Sequence, residues 1–140
     1  MVDRNSSKSR FGVYGRAKKV LDKGYSVCVF PEKEYLDETI LLNPFKSGAF
    51  KIAVEHQLPI CPMVFLDCKR KFPWYTTHGY PGQLRVDIHP PLSTKGLTEN
   101  DIPMLQKKTY DLIHSELQND PRQMAVDAIE VWKKVTKTAQ

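Results

Sequence analysis

Apolar and polar residues divide the chain into segments that predict helices and strands in turn. Segment 6–23 carries apolar side chains at helical spacing, and Gly24 stands where such a helix would end: Phe11, Tyr14, Ala17, Val20, Leu21. Residues 25–30, Tyr-Ser-Val-Cys-Val-Phe, form a short apolar run. An apolar run of this length predicts a strand that is buried on both faces.

The second half of the pattern continues the alternation. Residues 45–57 predict a helix with Phe50, Ile52, Ala53 and Val54 facing inward, and residues 59–66 predict another buried strand. Residues 83–92 alternate apolar and polar side chains, as a strand with one solvated face does. Residues 67–81 are rich in turn formers and aromatic residues, which favours a loop.

Two helices are predicted at the end of the chain. Residues 99–120 form an amphipathic pattern that Asn100 or Asp101 can cap, and Pro121 follows its end. Residues 120–140 carry a C-terminal helix, with Met124, Ala125, Ala128, Ile129 and Trp132 at helical spacing between about 122 and 137.

The order of these elements indicates the fold class. Helices that alternate with strands predict an α/β domain with a mostly parallel central sheet flanked by helices. Residues 1–140 fit a single domain, since no linker or repeat divides them. Ligands of such sheets bind beyond the carboxyl ends of the strands, where residues 30–32 (Phe-Pro-Glu) lie.

The composition narrows the class of partner. The chain has a formal net charge of +5, which suits a phosphate-bearing partner such as an anionic lipid surface, a nucleic acid or a phosphorylated substrate, although solubility alone also explains it. No stretch approaches the roughly 18 apolar residues that a membrane span requires. Cys28, Cys61 and Cys68 match neither a disulfide framework nor a zinc site, and the first two are expected in the core.

Standard catalytic signatures are missing from the chain. The sequence has no Gly-rich phosphate loop, no metal-ligand spacing of His and Cys, and no Gly-x-Ser-x-Gly motif. His56 and His114 fall on predicted helices, where surface or boundary positions are the simpler interpretation. His89 ends a strand before two prolines, and nothing near His78 in sequence would orient it.

Glu32 and Lys46 are the two residues that suggest a site. Glu32 directly follows a strand and the rigid Pro31, which also suits a helix cap or a salt bridge. Lys46 lies near the N-terminus of a predicted helix, where the helix dipole favours anions over cations. A lysine there suggests that a phosphate is bound by the helix amides and the ammonium together, unless the side chain only points into water.

These residues belong to a longer ordered pattern that resembles the glycerolipid acyltransferases that acylate lysophosphatidic acid. Residues 30–32 match the start of the family's Phe-Pro-Glu-Gly-Thr-Arg-Ser block, and residues 45–50 match its Phe-Lys-x-Gly-Ala-Phe sequel. Residues 59–62 match the family's Pro-x-x-Pro strand, and residues 2–4 (Val-Asp-Arg) resemble the family's second block, in which an apolar residue precedes Asp-Arg. The match covers residues 2–65 in the family's order.

The chain departs from the family pattern in two places, and these affect the expected substrate contacts and the expected activity. Lys33-Glu34-Tyr35-Leu36 replaces Gly-Thr-Arg-Ser, so an arginine that would help to hold the substrate phosphate is absent, and Lys33 lacks its bidentate geometry. The family's His-x-x-x-x-Asp block is also absent, because no histidine here has an aspartate five residues on. The resemblance therefore implies a glycerol-3-phosphate acyltransferase-like fold truncated at its N-terminus, a partial domain that is inactive alone.

The resemblance also implies a reaction and its residues. A fatty acyl group passes from a thioester, on acyl-CoA or acyl carrier protein, to the free hydroxyl of a lysophospholipid acceptor, with no other cofactor. An upstream histidine would be the general base. In this chain Arg4 and Lys46 would bind the acceptor phosphate, Glu32 would position the acceptor or its arginine partner, Gly48 belongs to the same motif, and Pro62 would shape the floor of the site.

Two alternatives to a lysophosphatidic acid acyltransferase stay open. The acceptor is another lysolipid, such as an aminolipid, or the chain is a non-catalytic module that binds anions or a membrane surface. Nucleic acid is not expected, because no aromatic residues interleave a basic strand. The family resemblance implies a peripheral location at the cytoplasmic face of a membrane. There the cations and aromatics of residues 69–75 would contact anionic lipid, unless those aromatics fold onto the core.

Overall fold

The computed structural model describes residues 7–32, 40–71 and 81–122. The elements in chain order are α1 (Ser7–Leu21), α2 (Gly48–Glu55), β1 (Met63–Phe65), α3 (Cys68–Lys71), β2 (Val86–Ile88), a 3₁₀ turn (Glu99–Asp101) and α4 (Ile102–Asn119). Arg4, most of the aromatic stretch after Lys71 and the predicted C-terminal helix beyond residue 122 lie outside the described residues.

Helices α1, α2 and α4 fall within the segments predicted from apolar periodicity, whereas the short helix α3 lies in residues 67–81, which were predicted as a loop. The chain leaves α1 through Gly24, whose φ of +79° is the left-handed conformation that glycine adopts without strain. α2 buries Phe50, Ala53 and Val54, as its spacing predicted. α4 ends at Asn119 and the next residue is extended, so Asp120 does not begin another helix.

The start of α4 is capped one turn earlier than predicted. The Asp101 carboxylate accepts hydrogen bonds from the Thr98 backbone N–H and the Thr98 hydroxyl, each 2.8 Å long. These bonds lower the pKa of Asp101, because they favour its charged form. The capping box therefore closes the 3₁₀ turn, and α4 continues from it.

The strands differ more from the prediction. β1 and β2 pair antiparallel, with Met63 opposite Ile88 and Phe65 opposite Val86. An isolated bridge between Ile60 and Leu92 continues this pairing. Among the described residues the pairing is antiparallel, so the mostly parallel sheet expected from the order of elements is not confirmed.

The prediction of a buried strand at residues 25–30 is wrong for the described structure. No strand is formed there, and Tyr25, Val27, Val29 and Phe30 are exposed, Phe30 by 76%. No described strand pairs with this segment, and its apolar side chains are largely left at the surface. Cys28 and Cys61 are exposed as well, which corrects their assignment to the core.

The hydrophobic core lies between α2, α4 and residues 40–46. Its buried members are Leu42, Phe45, Phe50, Val54, Ile102 and Leu105. Phe45 is central, because its ring lies 6.3 Å from the ring of Phe50 and 5.2 Å from that of Tyr110 in an edge-on contact. The chain just before α2 is therefore part of the core and has a defined position.

A buried ionic cluster ties the strands to the end of α4. The Arg85 guanidinium donates 2.8 Å hydrogen bonds to Asp67 and to both oxygens of Asp120. Both carboxylates are buried, and the hydrogen bonds from Arg85 hold the pKa of Asp120 below its usual range. We name this the Arg85 clamp, and it joins the chain after β1, the chain before β2 and the end of α4.

Candidate functional site

The structure brings Glu32 and Lys46 onto adjacent backbone segments. Glu32 pairs with Phe45 in an isolated antiparallel bridge, and the Lys46 N–H donates a 2.8 Å hydrogen bond to the Pro31 carbonyl. The two residues are therefore neighbours across paired backbone, although residues 33–45 separate them in sequence. Their proximity supports the prediction that they serve one site.

The Glu32 carboxylate is held in place by backbone. Glu32 is half-buried, and its Oε2 atom accepts a 3.1 Å hydrogen bond from the Asn43 backbone N–H. Among the described residues its other oxygen has no hydrogen-bond donor. A carboxylate held by one oxygen leaves the second to accept a bond from a ligand hydroxyl or from a cation.

The Lys46 side chain and the start of α2 form a positive surface. Lys46 is exposed, and in the described part of the chain its ammonium takes part in no ion pair. Ser47 precedes α2 without a side-chain cap, and the first turn of the helix holds no acidic residue. Uncapped amide groups and the helix dipole add partial positive charge to that of the ammonium.

α4 fixes the segment that carries Lys46. The Gln106 amide donates a 2.9 Å hydrogen bond to the Phe45 carbonyl, and the Tyr110 hydroxyl donates a 2.8 Å bond to the Leu42 carbonyl. Together with the buried Phe45 ring these bonds leave the backbone before Lys46 little freedom. Preorganisation of this kind lowers the entropic cost of binding.

Gly48 lies where α1 meets the start of α2. A Cβ atom placed on Gly48 would be 3.1 Å from the hydroxyl oxygen of Tyr14, closer than a side chain normally approaches. Glycine therefore leaves room for the phenol to approach the backbone of α2, where a Cβ atom would make a tight contact.

The described structure does not connect the two remaining predicted residues, Pro62 and Arg4, to Glu32 or Lys46. Pro62 is buried beside β1, and its carbonyl accepts a 3.0 Å hydrogen bond from the His89 N–H. In the described residues no hydrogen bond links Pro62 to Glu32 or Lys46, so its role as the floor of the site stays a prediction. Arg4 lies outside the described residues, and so does its predicted phosphate contact.

Two residues at this site escaped the sequence-based prediction. Asn43 contributes through its backbone N–H, which leaves no signal in a sequence, and only its position before Pro44 marks a turn. Tyr14 fits the apolar stripe of α1 and gives no sign of its contact with a glycine 34 positions away.

The described histidines are not arranged as a catalytic base at this site. His56 follows the end of α2, and the His114 ring stacks on Tyr110 at 5.7 Å. His89 Nε2 lies 3.8 Å from the Glu116 carboxylate, beyond hydrogen-bond reach, at the far end of β2.

A cysteine nucleophile is disfavoured as well. Partial burial and the neighbouring Asp67 carboxylate raise the pKa of the Cys68 thiol, which reduces the reactive thiolate at neutral pH. The described residues contain no group of three His, Cys, Asp or Glu side chains that could hold a metal ion. None of the described helices has the length and apolar character needed to span a bilayer.

Comparison with known proteins identifies the family. A family model described as Acyltransferase matches residues 1–66. The chain is 36% identical over 109 residues to the 1-acyl-sn-glycerol-3-phosphate acyltransferase alpha of Mus musculus, covering 74% of this chain and 37% of that protein. Over 105 residues it is 34% identical to the Homo sapiens protein of the same name, with the same coverage. The chain thus spans about a third of the length of these relatives.

A solved structure supports the fold. The 1-acyl-sn-glycerophosphate (LPA) acyltransferase PlsC from Thermotoga maritima superposes with a TM-score of 0.65 at 22% identity, covering 80% of this chain and 45% of that one. The resemblance shows a shared fold, and the sequence matches show the family. The chain belongs to the acyltransferase family that includes the 1-acyl-sn-glycerol-3-phosphate acyltransferases.

Proposed function

We propose that this chain binds the acceptor in the transfer of a fatty acyl group to the free hydroxyl of a lysophosphatidic acid-like lipid. One observation carries the proposal: the paired backbone of residues 31–32 and 45–46 brings Glu32, whose carboxylate is held by the Asn43 N–H, next to the segment that carries Lys46 to the start of α2. An anionic phosphate with a nearby hydroxyl fits this pair of charges.

Each residue has a defined part in this proposal. The Lys46 ammonium and the first amides of α2 bind the acceptor phosphate, as charge-assisted contacts worth about 1.5–3 kcal/mol each. The free oxygen of Glu32 accepts a hydrogen bond from the acceptor or from an arginine partner. Together they hold the acceptor hydroxyl in one orientation for attack on the acyl thioester, which makes the reaction effectively intramolecular.

The proposal assigns the general base to residues outside this chain. No histidine among the 140 residues has an aspartate five residues on, and no described histidine lies in the Glu32–Lys46 site. We therefore expect the purified chain to bind lysophosphatidic acid and to show no acyl transfer from acyl-CoA or acyl carrier protein. Turnover by these 140 residues alone would place the base within them.

We further propose a peripheral location at the cytoplasmic face of a membrane. The net charge of +5 supports this, since basic residues near an anionic bilayer each contribute about 1 kcal/mol to binding. Co-sedimentation with phosphatidylserine vesicles checks it. Binding should weaken as salt rises, because the attraction is electrostatic.

The test of the acceptor site is a binding measurement on substituted chains. Titration calorimetry with short-chain lysophosphatidic acid should show Lys46→Ala weakening binding roughly tenfold or more, because one charge-assisted contact is lost. Glu32→Gln should weaken it less, since the amide can still accept a hydrogen bond.

Lys51→Ala is the matched control. Lys51 lies on α2, the helix that Lys46 precedes; it is exposed, and its ammonium is 3.6 Å from the Glu99 carboxylate. Equal effects of the Lys46 and Lys51 substitutions would mean that only overall charge matters. Tighter binding of a lyso-aminolipid than of lysophosphatidic acid would point to a different acceptor.

A further inference from the structure

The Tyr14 hydroxyl lies at the first residue of α2. Its oxygen is 3.1 Å from the position of a Cβ atom on Gly48, and the ring carbon that bears the hydroxyl is 4.0 Å away. The phenol therefore projects from α1 onto the backbone of Gly48, two residues beyond Lys46. The contact joins α1 to the proposed acceptor site.

This hydroxyl has no hydrogen-bond partner within the described part of the chain. Tyr14 is half-buried, and no other described group accepts or donates a hydrogen bond at its oxygen. Tyrosine hydroxyls that are drawn out of solvent usually find a partner. A phenol held here without one is available to a ligand.

The surroundings determine which kind of ligand suits the phenol. The Lys46 ammonium is unpaired in the described structure, Ser47 makes no side-chain cap, and the first turn of α2 has no carboxylate. A hydroxyl at the first residue of α2, where the helix amides add partial positive charge, acts best as a donor to an anion, and a phosphate offers several acceptor oxygens.

We infer that Tyr14 is a further acceptor-binding residue, which donates its hydroxyl to the phosphate monoester held by Lys46. The inference rests on the proposed function and deepens it, because it adds a neutral donor from α1 to the cationic contacts. A third directional contact orients a phosphate that one ammonium alone lets rotate, since ammonium groups bind as point charges.

Gly48 acquires a role in this arrangement. A side chain at position 48 would displace the phenol by a few tenths of an ångström, because the Cβ atom alone already approaches its oxygen to 3.1 Å. Gly48 thus keeps the Tyr14 hydroxyl in place, and the two residues should act as a coupled pair in a double-mutant cycle.

The experiment is calorimetry with Tyr14→Phe, which removes only the hydroxyl. Affinity for short-chain lysophosphatidic acid should fall about tenfold, as for the loss of a hydrogen bond to a charged group. Affinity for the corresponding monoacylglycerol, which lacks the phosphate, should not change. Inorganic phosphate as a competitor shows whether the headgroup alone accounts for the loss.

Further variants separate binding from folding. Tyr25→Phe, at an exposed position, should bind as the wild type does. Tyr14→Phe should keep the wild-type melting temperature, whereas a purely structural hydroxyl would lower it and leave affinity unchanged. Gly48→Ala should weaken binding in the wild type and cause little further loss in the Tyr14→Phe background.

The possible failures are distinguishable. If Lys46→Ala weakens binding and Tyr14→Phe does not, the inference about Tyr14 is overturned and the proposed function stands. If the wild-type chain does not bind lysophosphatidic acid at all, both fall together. Additive effects of Gly48→Ala and Tyr14→Phe would overturn the coupling of the pair.

Discussion

At the scale of single residues, the proposed site contains polar groups that have hydrogen-bond partners and polar groups that have none among the described residues. The Glu32 carboxylate accepts a bond from the Asn43 backbone, whereas the Asn43 side-chain amide nitrogen is buried without a partner among the described residues. A buried donor without an acceptor costs about 1–3 kcal/mol. The same residue therefore stabilises the site through its backbone and destabilises the fold through its side chain.

Substitution of Asn43 tests this division. Asn43 is 7% exposed, so Asn43→Leu replaces an unsatisfied amide with an apolar group of similar size. We expect the free energy of unfolding to rise by about 1 kcal/mol, because the desolvation penalty disappears. Urea denaturation followed by circular dichroism measures it. A loss of stability would mean that the amide has a partner in solution.

At the scale of the elements, α2 and its packing position the site. Phe50 is 2% exposed and its ring stacks against Phe45, which directly precedes Lys46. The hydrophobic contact and the functional segment are therefore one structural unit. Damage to this contact should affect stability and acceptor binding together.

Phe50→Ala provides the test. Truncation of a buried phenylalanine costs about 3–5 kcal/mol through lost burial and the cavity left behind. We expect thermal denaturation to show a much lower melting temperature, with weaker acceptor binding in the fraction that stays folded. Phe50→Leu keeps most of the side-chain volume, so its melting temperature and its acceptor affinity should fall clearly less than those of Phe50→Ala.

The Arg85 clamp makes a second prediction at this scale, on pH. Its hydrogen bonds lower the pKa of Asp120, so the folded chain releases this proton more readily than the unfolded chain, whose Asp pKa is about 3.9. The resulting stabilisation is complete above the unfolded pKa and is lost as the pH falls through the folded value.

Melting curves between about pH 5 and pH 2 measure this effect. The wild type should lose stability over that window, and Asp120→Asn should lose less, because its side chain cannot titrate. At neutral pH the same variant should be about 1.5–3 kcal/mol less stable, since Arg85 loses a charged partner. If the wild type and Asp120→Asn lose equal stability as the pH falls, the Arg85 clamp does not determine how acid destabilises the fold.

At the scale of the whole molecule, the described structure exposes an apolar patch on one side of the sheet. Phe30, Met63, Phe65 and Ile88 form it: the rings of Phe30 and Phe65 lie 6.3 Å apart, and Met63 faces Ile88 across the strand pair. Large exposed apolar patches are prone to association. The purified chain should therefore associate as its concentration rises.

Light scattering after size-exclusion chromatography measures that association. Phe30→Ser should reduce it, since Phe30 is the most exposed large apolar residue of the patch. Met104→Ser is the control, because Met104 is an exposed apolar residue on α4. If both substitutions act equally, association does not depend on this patch.

The extent to which the sequence predicted this structure depends on the kind of signal. α2 and α4 follow from apolar periodicity, because a helix that packs on a core must repeat its apolar face. Residues 25–30 were mispredicted, because an apolar run shows what a segment can bury and not whether anything covers it. The family and the region of the site followed from motif order, whereas Tyr14 and Asn43 act across distances that no local pattern records.

The bridge between Glu32 and Phe45 has a consequence for engineering this chain. It fixes both ends of the interval 33–44, so the length of that interval is uncoupled from the geometry of Glu32 and Lys46. Lengthening a closed interval is cheap, since each doubling costs only about 0.6 kcal/mol. Because Leu42 and Asn43 are buried within the interval, the place to insert an epitope or a fluorophore is before residue 40.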